Sequence, residues 1–285
     1  MSVKIISDST CDLSKELIER YDIEIAPLHV LLGEEEYLDS VNIGPDDIYA
    51  WADANKTTPK TSAISISDTI EVFEKYKDEY DEIVCFSVSG QMSTTVNVMR
   101  MAAEEAEMED RVFVVDSMNL STGVGLLVIK AAILAQEGKT GAEIAETVKA
   151  LRPQVRASFV VDTLTYLHRG GRCSSVEALA GSALKLHPEI VVAGGAMKSN
   201  RKFRGKMSKV ILEYAKSQEP MLRNAYTDRV FITHSGCSEE VIDTIKQYLE
   251  GLELFDEILI TRAGGVISSH CGPGTLGVLF IEKEV

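Results

Sequence analysis

The fold is decided by residues 86–97, which read Phe86-Ser87-Val88-Ser89-Gly90-Gln91-Met92-Ser93-Thr94-Thr95-Val96-Asn97. The apolar run before them predicts a buried strand over residues 83–86, and the pattern after them predicts a helix over residues 96–103. A strand that turns into a helix presents free backbone N–H groups and the positive end of the helix dipole. With the added hydroxyl groups, the junction is typical of a carboxylate or phosphate site. Capping of the helix by Ser93 explains the same residues, and both interpretations stay open.

The composition and charge restrict the class of protein. A chain of 285 residues usually forms one large domain or two smaller ones. Its net charge of −15 repels phosphate backbones, and no basic cluster interleaved with aromatic residues offsets it, so we expect no nucleic-acid partner. The sequence shows no signal peptide, no apolar run of membrane-spanning length, and five scattered cysteines without a CxxC pair. We therefore expect a cytoplasmic protein with reduced thiols and no integral membrane segment.

Strands and helices alternate over residues 1–155 and predict an N-terminal parallel α/β domain. Asp12 is a candidate N-cap for a helix from about Leu13, and residues 57–67 are predicted to form a polar loop. Polar residues end three of the predicted strands, at Ser7-Asp8-Ser9, at residues 87–93 and at Asp116-Ser117. Because ligands bind at the carboxyl ends of strands in open parallel sheets, these strand ends predict one shared cleft.

Residues 156–285 follow a different pattern and predict a C-terminal α/β domain with a mixed or antiparallel sheet. Gly194-Gly195, between two extended segments, indicates a hairpin. Helices are predicted from about Arg204 to Ser217, from Glu239 to Leu252 and from Val176 to Leu184. We place the domain boundary near residue 155. No low-complexity linker marks it, so we expect the domains to pack directly, and such interfaces often carry binding sites.

Two further polar stretches are candidates for ligand binding. The first is crowded with hydroxyl groups and is either a plain surface loop or a set of donors; it reads Thr57-Thr58-Pro59-Lys60-Thr61-Ser62. The second, residues 164–172, ends a predicted helix with Gly170-Gly171, which suits a left-handed cap. The following Arg172 either binds an anion or interacts with the carboxyl end of that helix.

A dense positive cluster stands out in this acidic chain at Ser199-Asn200-Arg201-Lys202-Phe203-Arg204-Gly205-Lys206. The pattern predicts a helix start there, where positive charge opposes the helix dipole. A local conflict of this kind favours a function, such as contact with a partner or with phosphate.

A histidine lies in a predicted tight turn, which reads Ser268-Ser269-His270-Cys271-Gly272-Pro273-Gly274-Thr275. A histidine close to glycine and proline residues is rarely needed for packing. His270 is therefore a candidate ligand-binding or catalytic residue, and its imidazole is expected to titrate near neutral pH.

Taken in order, these motifs resemble the DegV family, which includes the fatty-acid-binding FakB subunits of bacterial fatty acid kinase. The resemblance runs the length of the chain, and the ordered set is specific although each motif alone is weak. The matching residues are Asp8-Ser9-Thr10-Cys11-Asp12-Leu13, Thr61-Ser62, Ser89 to Thr95, Asp116-Ser117, Tyr166-Leu167 with Gly170-Gly171-Arg172, and His270 with Gly272-Pro273-Gly274.

The resemblance implies a two-domain DegV-like fold with a long-chain fatty acid between the domains and its acyl chain in an apolar tunnel. The implied carboxylate-binding residues are Thr61, Ser62, Ser93, Thr94, His270 and Arg172. A separate DAK-like, ATP-binding kinase subunit would phosphorylate the bound carboxyl group to acyl phosphate for phospholipid synthesis. The implied contacts with that subunit are Arg201, Lys202 and Arg204. The resemblance implies no cofactor, and the bound fatty acid is the ligand.

The sequence departs from the family pattern near the implied site. Thr94 stands where the family usually has glycine, and Ala63-Ile64 replaces the usual Gln-Pro, which leaves the acyl-chain preference open. Small residues over 176–184 either leave room for an acyl chain or serve helix contact; they are Ala178, Ala180, Gly181 and Ala183.

A rival interpretation is an independent serine-dependent acyl hydrolase or acyltransferase that uses Ser93 and His270. Against it, the sequence has no GxSxG motif and no acid placed to orient His270. A nucleotide enzyme is disfavoured as well, because neither a Walker loop nor a GxGxxG fingerprint occurs.

Overall fold

A computed structural model describes residues 2–173 and 186–284 of the protein. Its strands are β1 (Val3–Asp8), β2 (Ile23–Ala26), β3 (His29–Leu32), β4 (Glu35–Leu38), β5 (Lys60–Ser62), β6 (Glu82–Ser87), β7 (Val112–Asp116), β8 (Val155–Val160), β9 (Leu186–Ala193), β10 (Ala196–Arg204), β11 (Arg229–His234), β12 (Glu257–Arg262) and β13 (Leu276–Ile281). Its α-helices are α1 (Lys15–Arg20), α2 (Pro45–Asn55), α3 (Ile66–Tyr76), α4 (Thr95–Glu105), α5 (Thr122–Gln136), α6 (Gly141–Leu151), α7 (Thr165–Gly170), α8 (Met207–Ser217), α9 (Glu219–Leu222), α10 (Glu239–Glu250) and α11 (Gly265–Cys271). Short 3₁₀ helices cover Ser9–Cys11 and Arg152–Gln154.

The first sheet consists of parallel strands in the order β2-β1-β6-β7. Its central strands carry unbroken apolar runs, in which Ile5, Ile6, Val84 and Cys85 are all buried. Such runs are typical of parallel sheets that have both faces covered. The predicted parallel α/β organisation of the N-terminal region is therefore confirmed.

A small antiparallel sheet has the order β4-β3-β5. The predicted polar loop over residues 57–67 is wrong, because β5 pairs Thr61 with Val30 and α3 begins at Ile66. This short polar strand lacks the apolar alternation that identifies a strand in a sequence, and it exists through its pairing with β3. Thr61 is thereby fixed in a hydrogen-bonded ladder.

The C-terminal region forms a sheet in the order β10-β9-β8-β13-β11-β12. β11 and β12 run parallel, and the other neighbouring strands run antiparallel, which confirms the predicted mixed sheet. Gly194 and Gly195, both with positive φ, form the predicted hairpin between β9 and β10.

The basic cluster lies on β10, so the predicted helix start at these residues is wrong. Lys202 and Arg204 lie opposite Pro188 and Leu186 in the β9–β10 ladder, and α8 begins only at Met207. Along this outermost strand of the described sheet, the exposed basic side chains include Arg201, Lys202 and Arg204. The functional interpretation of the cluster rested on positive charge at the start of a helix. Because Arg201, Lys202 and Arg204 lie on a strand, their charges do not oppose a helix dipole.

α5 lies between the first sheet and the six-stranded sheet. Val124, Leu127 and Val128 on this helix have no solvent exposure, and apolar side chains surround it, as expected for a helix that is buried on all sides. One hydrophobic cluster consequently joins residues of both sheets, including Ile5, Phe86, Phe231 and Leu279. The domain boundary near residue 155, the first residue of β8, stays a prediction.

Two local predictions need comment. Asp12 does not cap α1, which begins at Lys15 with Ser14 as its N-cap, because the Asp12 carboxylate accepts a hydrogen bond from Gly264 N–H instead. The predicted helix from Val176 to Leu184, with its small residues, lies outside the described residues. Within the two described ranges, no helix combines the length and the apolar character that crossing a membrane requires.

Candidate functional site

The carboxyl ends of the parallel strands meet at a cavity of about 490 Å³. At its wall, the backbone N–H of Gly90 after β6 donates to Asp116 Oδ1 at the end of β7 (3.2 Å). The polar strand ends therefore come together as the sequence predicts. The described residues that line the cavity are Thr10, Leu28, Thr61, Ser62, Ala63, Val88, Gly90, Gln91, Met92, Ser93, Thr94, Asn97, Leu120, Arg172, Met197, Val266, Ile267, His270 and Cys271.

Every residue predicted to bind the carboxylate lines this one cavity. They come from four separate parts of the chain, namely β5 (Thr61, Ser62), the β6–α4 junction (Ser93, Thr94), the segment after α7 (Arg172) and α11 (His270). The predicted partner contacts Arg201, Lys202 and Arg204 do not line it. Their strand, β10, reaches the cavity through Met197.

The predicted capping of α4 by Ser93 is wrong, because the N-cap is Thr94, which makes no side-chain capping bond, and Ser93 lies one residue before it. The Ser93 hydroxyl hydrogen-bonds Thr95 Oγ1 at 2.9 Å and accepts from Thr95 N–H at 3.3 Å, so it supports the first turn of the helix. Ser93 also lines the cavity. A hydroxyl group held by the start of a helix is a preorganised donor for an anion.

Thr61 and His270 are hydrogen-bonded to each other at the site, with Thr61 Oγ1 and His270 Nε2 2.8 Å apart. The predicted tight turn around His270 is wrong, because the residue lies in the last turn of α11 and the chain turns only at Gly272, where φ is 75°. The buried residues Val266 and Ile267 before it place this short helix in the core, and their apolar character is the signal that sequence analysis passed over.

His270 is neutral at physiological pH. Burial, and secondarily the positive charge of Arg172, lower the pKa of its imidazole to about 4. The expectation of titration near neutrality is therefore wrong, because removing the ring from water disfavours its charged form. A neutral imidazole can still donate one hydrogen bond and accept one.

Gly170, at the end of α7, makes room for His270. A Cβ at this position would lie 2.4 Å from His270 Nδ1. The next residue, Gly171, adopts the predicted left-handed conformation (φ 65°) and caps α7. Arg172 then donates to Gly170 O at 2.6 Å while it also lines the cavity, so its two predicted roles are compatible.

The apolar part of the lining is supplied by both halves of the chain. Leu28, Val88 and Leu120 come from the N-terminal region, and Met197 and Ile267 come from the C-terminal region. The cavity therefore combines a cluster of hydroxyl and imidazole groups with a wall suited to a hydrocarbon.

Sequence analysis missed the role of buried acids next to the site. Asp8, Asp12 and Asp39 are almost inaccessible to solvent, and burial raises the pKa of all three, that of Asp8 to about 6. Asp8 Oδ2 accepts from Val88 N–H at 2.8 Å, which fixes the end of β6. Among the described residues, no group of three or more His, Cys, Asp and Glu side chains is arranged to hold a metal ion.

The geometry does not support a serine hydrolase. His270 Nε2 bonds Thr61, and Ser93 Oγ bonds Thr95. Within the described part of the chain, His270 Nδ1 has no hydrogen-bond partner, so no carboxylate orients the ring. Such catalysis requires a nucleophile that is hydrogen-bonded to a base, and a third group that orients the base.

Comparisons with known proteins agree along the whole chain. A family model described as an uncharacterised protein of the DegV family matches residues 2–283. A DegV domain-containing protein of Clostridium perfringens is 33% identical over 99% of both chains. A structure of a DegV family protein from Thermus thermophilus, described as fatty-acid binding, has a TM-score of 0.91 and 31% identity, and covers 99% of this chain and 100% of its own.

A second solved structure, described as a stearic acid-binding protein from Eubacterium ventriosum, has a TM-score of 0.86 and 28% identity. The match covers 99% of this chain and 98% of the other. Since the family model and the relatives span nearly the full sequence, the chain belongs to the DegV family.

Proposed function

We propose that the protein binds a long-chain fatty acid in this cavity, with the carboxylate at Thr61, Ser93 and His270. The observation that carries the proposal is the joining of uncharged donors and an apolar wall in one cavity. The fatty-acid binding described for the similar proteins of Thermus thermophilus and Eubacterium ventriosum supports it.

The polar cluster suits a carboxylate. When the neutral imidazole carries its proton on Nε2, it donates to Thr61 Oγ1, and the threonine hydroxyl is then free to donate to the ligand. Ser93, Ser62 and Thr94 supply further hydroxyl groups, and Arg172 supplies a positive charge. A hydrogen bond to a charged acceptor is stronger than one between neutral groups.

The acyl chain would supply most of the affinity. Burial of about 15 methylene groups contributes roughly 12 kcal/mol at about 0.8 kcal/mol each. The loss of translational and rotational freedom on binding removes a substantial part of this gain. In this division the tail gives affinity and the hydroxyl cluster fixes the position of the head group.

The direct test is to extract the purified protein with organic solvent and identify the released lipid by mass spectrometry. Displacement of a fluorescent fatty acid by stearate then gives an affinity. A long-chain fatty acid in the extract and saturable displacement are expected. A protein that contains no fatty acid and takes none up would contradict the proposal.

We further propose that the protein is cytoplasmic and presents the bound carboxylate to a separate kinase subunit, which phosphorylates it to acyl phosphate. The exposed basic side chains on β10 are the proposed contact surface, namely Arg201, Lys202 and Arg204. Charge of this kind on a chain of net charge −15 acts mainly on the rate of encounter with an acidic partner.

Replacing Arg204 by Glu is expected to leave the fatty-acid content unchanged but to slow phosphorylation by the kinase subunit by roughly tenfold at low ionic strength. The reason is the loss of electrostatic attraction at a position outside the cavity. The control is Lys216→Glu, which changes the charge equally at an exposed position on α8. Equal rates for the wild type and Arg204→Glu at low salt would rule out this contact surface.

Replacing Gly170 by Ala is expected to weaken fatty-acid binding by roughly tenfold, about as much as a hydrogen bond to a charged group is worth. The added methyl group, 2.4 Å from His270 Nδ1, displaces the imidazole from Thr61. Gly171→Ala is the matched control, because its Cβ meets nothing within 4 Å and the change only strains a left-handed residue. If the two variants bind a fluorescent fatty acid equally well, contact between Gly170 and His270 is not what the first glycine provides.

A further inference from the structure

Two buried carboxylates from the N-terminal region hold the start of α11. Asp12 Oδ1 accepts from Gly264 N–H at 2.8 Å, and Asp39 Oδ1 accepts from Gly265 N–H at 2.6 Å. The first N–H groups of a helix have no partner within the helix, so these bonds fix its entry. The helix itself belongs to the C-terminal region of the chain and carries His270 at its other end.

The carboxylates are themselves fixed. Ser121 Oγ donates to Asp12 Oδ2 at 2.5 Å, and Ser9 Oγ donates to Asp39 Oδ2 at 2.8 Å. Ser9 Oγ in turn accepts from Leu28 N–H at 3.2 Å. The start of α11 is thus connected through side chains to the 3₁₀ helix after β1 and to the loop before β3.

The glycine pair at the start of α11 is shaped to these carboxylates. A Cβ at Gly265 would lie 2.9 Å from Asp39 Oδ1 and 2.8 Å from Ile48 Cδ1. A Cβ at Gly264 would lie 3.3 Å from an oxygen of each acid. The backbone at Gly264 and Gly265 can therefore approach the two acids this closely because neither residue has a side chain.

We propose that Asp12 and Asp39 are positioning residues for His270: by holding Gly264 and Gly265 they set α11, and with it the imidazole nitrogen that faces Thr61. The position of His270 follows from these contacts alone. The effect on ligand binding rests on the proposed fatty-acid-binding function. α11 is only seven residues long, so a displacement at its start is carried to His270 near its end.

The burial of both acids makes the arrangement hard to break. An acid in the interior that loses a donor is left with an unsatisfied oxygen, which is unfavourable. Burial raises the pKa of both Asp12 and Asp39, and the negative charge of Asp39, followed by that of Asp8, adds to the effect on Asp12. A shift of α11 away from Thr61 would leave Asp12 and Asp39 without the hydrogen bonds from Gly264 and Gly265. These bonds at the start of the helix therefore stabilise the contact between His270 and Thr61 at its end.

Histidine NMR on ligand-free protein tests the geometry directly. The His270 signal is assigned by its absence from His270→Gln. Asp39→Ala and Asp12→Ala are expected to shift this signal. Asp39→Asn keeps an acceptor oxygen in a side chain of the same size, so its His270 signal is expected to lie closer to the wild-type position than that of Asp39→Ala. Asp8→Asn is the matched control, since Asp8 is equally buried but bonds Thr10 and Val88. An unmoved His270 signal in folded Asp39→Ala or folded Asp12→Ala would overturn the proposal. If neither folds, an unmoved signal in Gly265→Ala, whose Cβ would lie 2.9 Å from Asp39 Oδ1, would overturn it.

Binding of stearate tests the consequence. Asp39→Ala is expected to weaken it by roughly tenfold, as loss of one hydrogen bond to a charged group would. Because the acid acts through His270, Asp39→Ala combined with His270→Gln is expected to bind no more weakly than His270→Gln alone. Additive losses would overturn the proposal. If the wild type binds no stearate, the proposed function fails, and the NMR signal alone decides the positioning role.

Discussion

Replacing Ser93 by Ala is expected to weaken fatty-acid binding by roughly tenfold to hundredfold while the protein stays folded. The physical reason is the loss of a hydrogen bond to a charged carboxylate, worth about 1.5–3 kcal/mol. Thr95 N–H also loses its acceptor, which reduces stability by about 1 kcal/mol, an amount that a domain of this size tolerates. The measurement is displacement of a fluorescent fatty acid, with thermal unfolding of the same samples as the control for folding.

The pairing of Ser93 with His270 can be tested in the same assay. If both groups contact one carboxylate, the double variant Ser93→Ala/His270→Ala should lose less affinity than the sum of the single losses. Thr163→Ala serves as a control on a hydroxyl group outside the cavity lining. Fully additive losses from Ser93 and His270, with folding unchanged, would mean that the two residues serve different sites.

The free energy of unfolding is expected to fall with acidification in the wild type relative to His270→Gln. The pKa of His270 is about 4 in the folded protein and 6.5 in the ordinary case, so the unfolded chain binds more protons between these values. Stability is therefore full above pH 6.5 and declines as the pH falls towards 4. The whole difference corresponds to about 3 kcal/mol.

Urea unfolding of both proteins between pH 7 and pH 4 measures this difference. The comparison is needed because Asp8 acts in the opposite direction: its pKa is raised from 3.8 to about 6, so its contribution grows as the pH falls through that interval. Asp8 is common to both proteins and its effect cancels in the difference. Parallel curves for the two proteins would show that His270 is not held neutral by burial.

The first sheet was predictable because its strands carry unbroken apolar runs and its junctions carry the polar residues. The β9–β10 hairpin was predictable from Gly194-Gly195, since adjacent positive φ values favour glycine. β5 was not, because its three residues are polar and its pairing with β3 comes from distant sequence. In physical terms, a local pattern of apolar residues indicates which side chains are buried. β5 has no such pattern and forms because it pairs with β3.

The site followed the same division. Its hydroxyl groups and His270 stood out by chemical type, whereas the state of the imidazole depends on burial, which no spacing in the sequence discloses. In the sequence, Asp8 was one of the polar residues that end a predicted strand, and Asp12 was a candidate helix cap. Only the fold brings Asp12 to Gly264 and Asp39 to Gly265, across more than two hundred positions of chain.

The position of α5 has a consequence for how a lipid enters and for how the molecule is studied. Because apolar side chains of this helix pack against both sheets, separating the sheets would expose the helix to water along its length. A ligand is therefore expected to enter by local rearrangement around the cavity mouth. For the same reason, a fragment that ends at residue 155 would leave half of a buried helix bare, and we expect the chain to unfold as one cooperative unit.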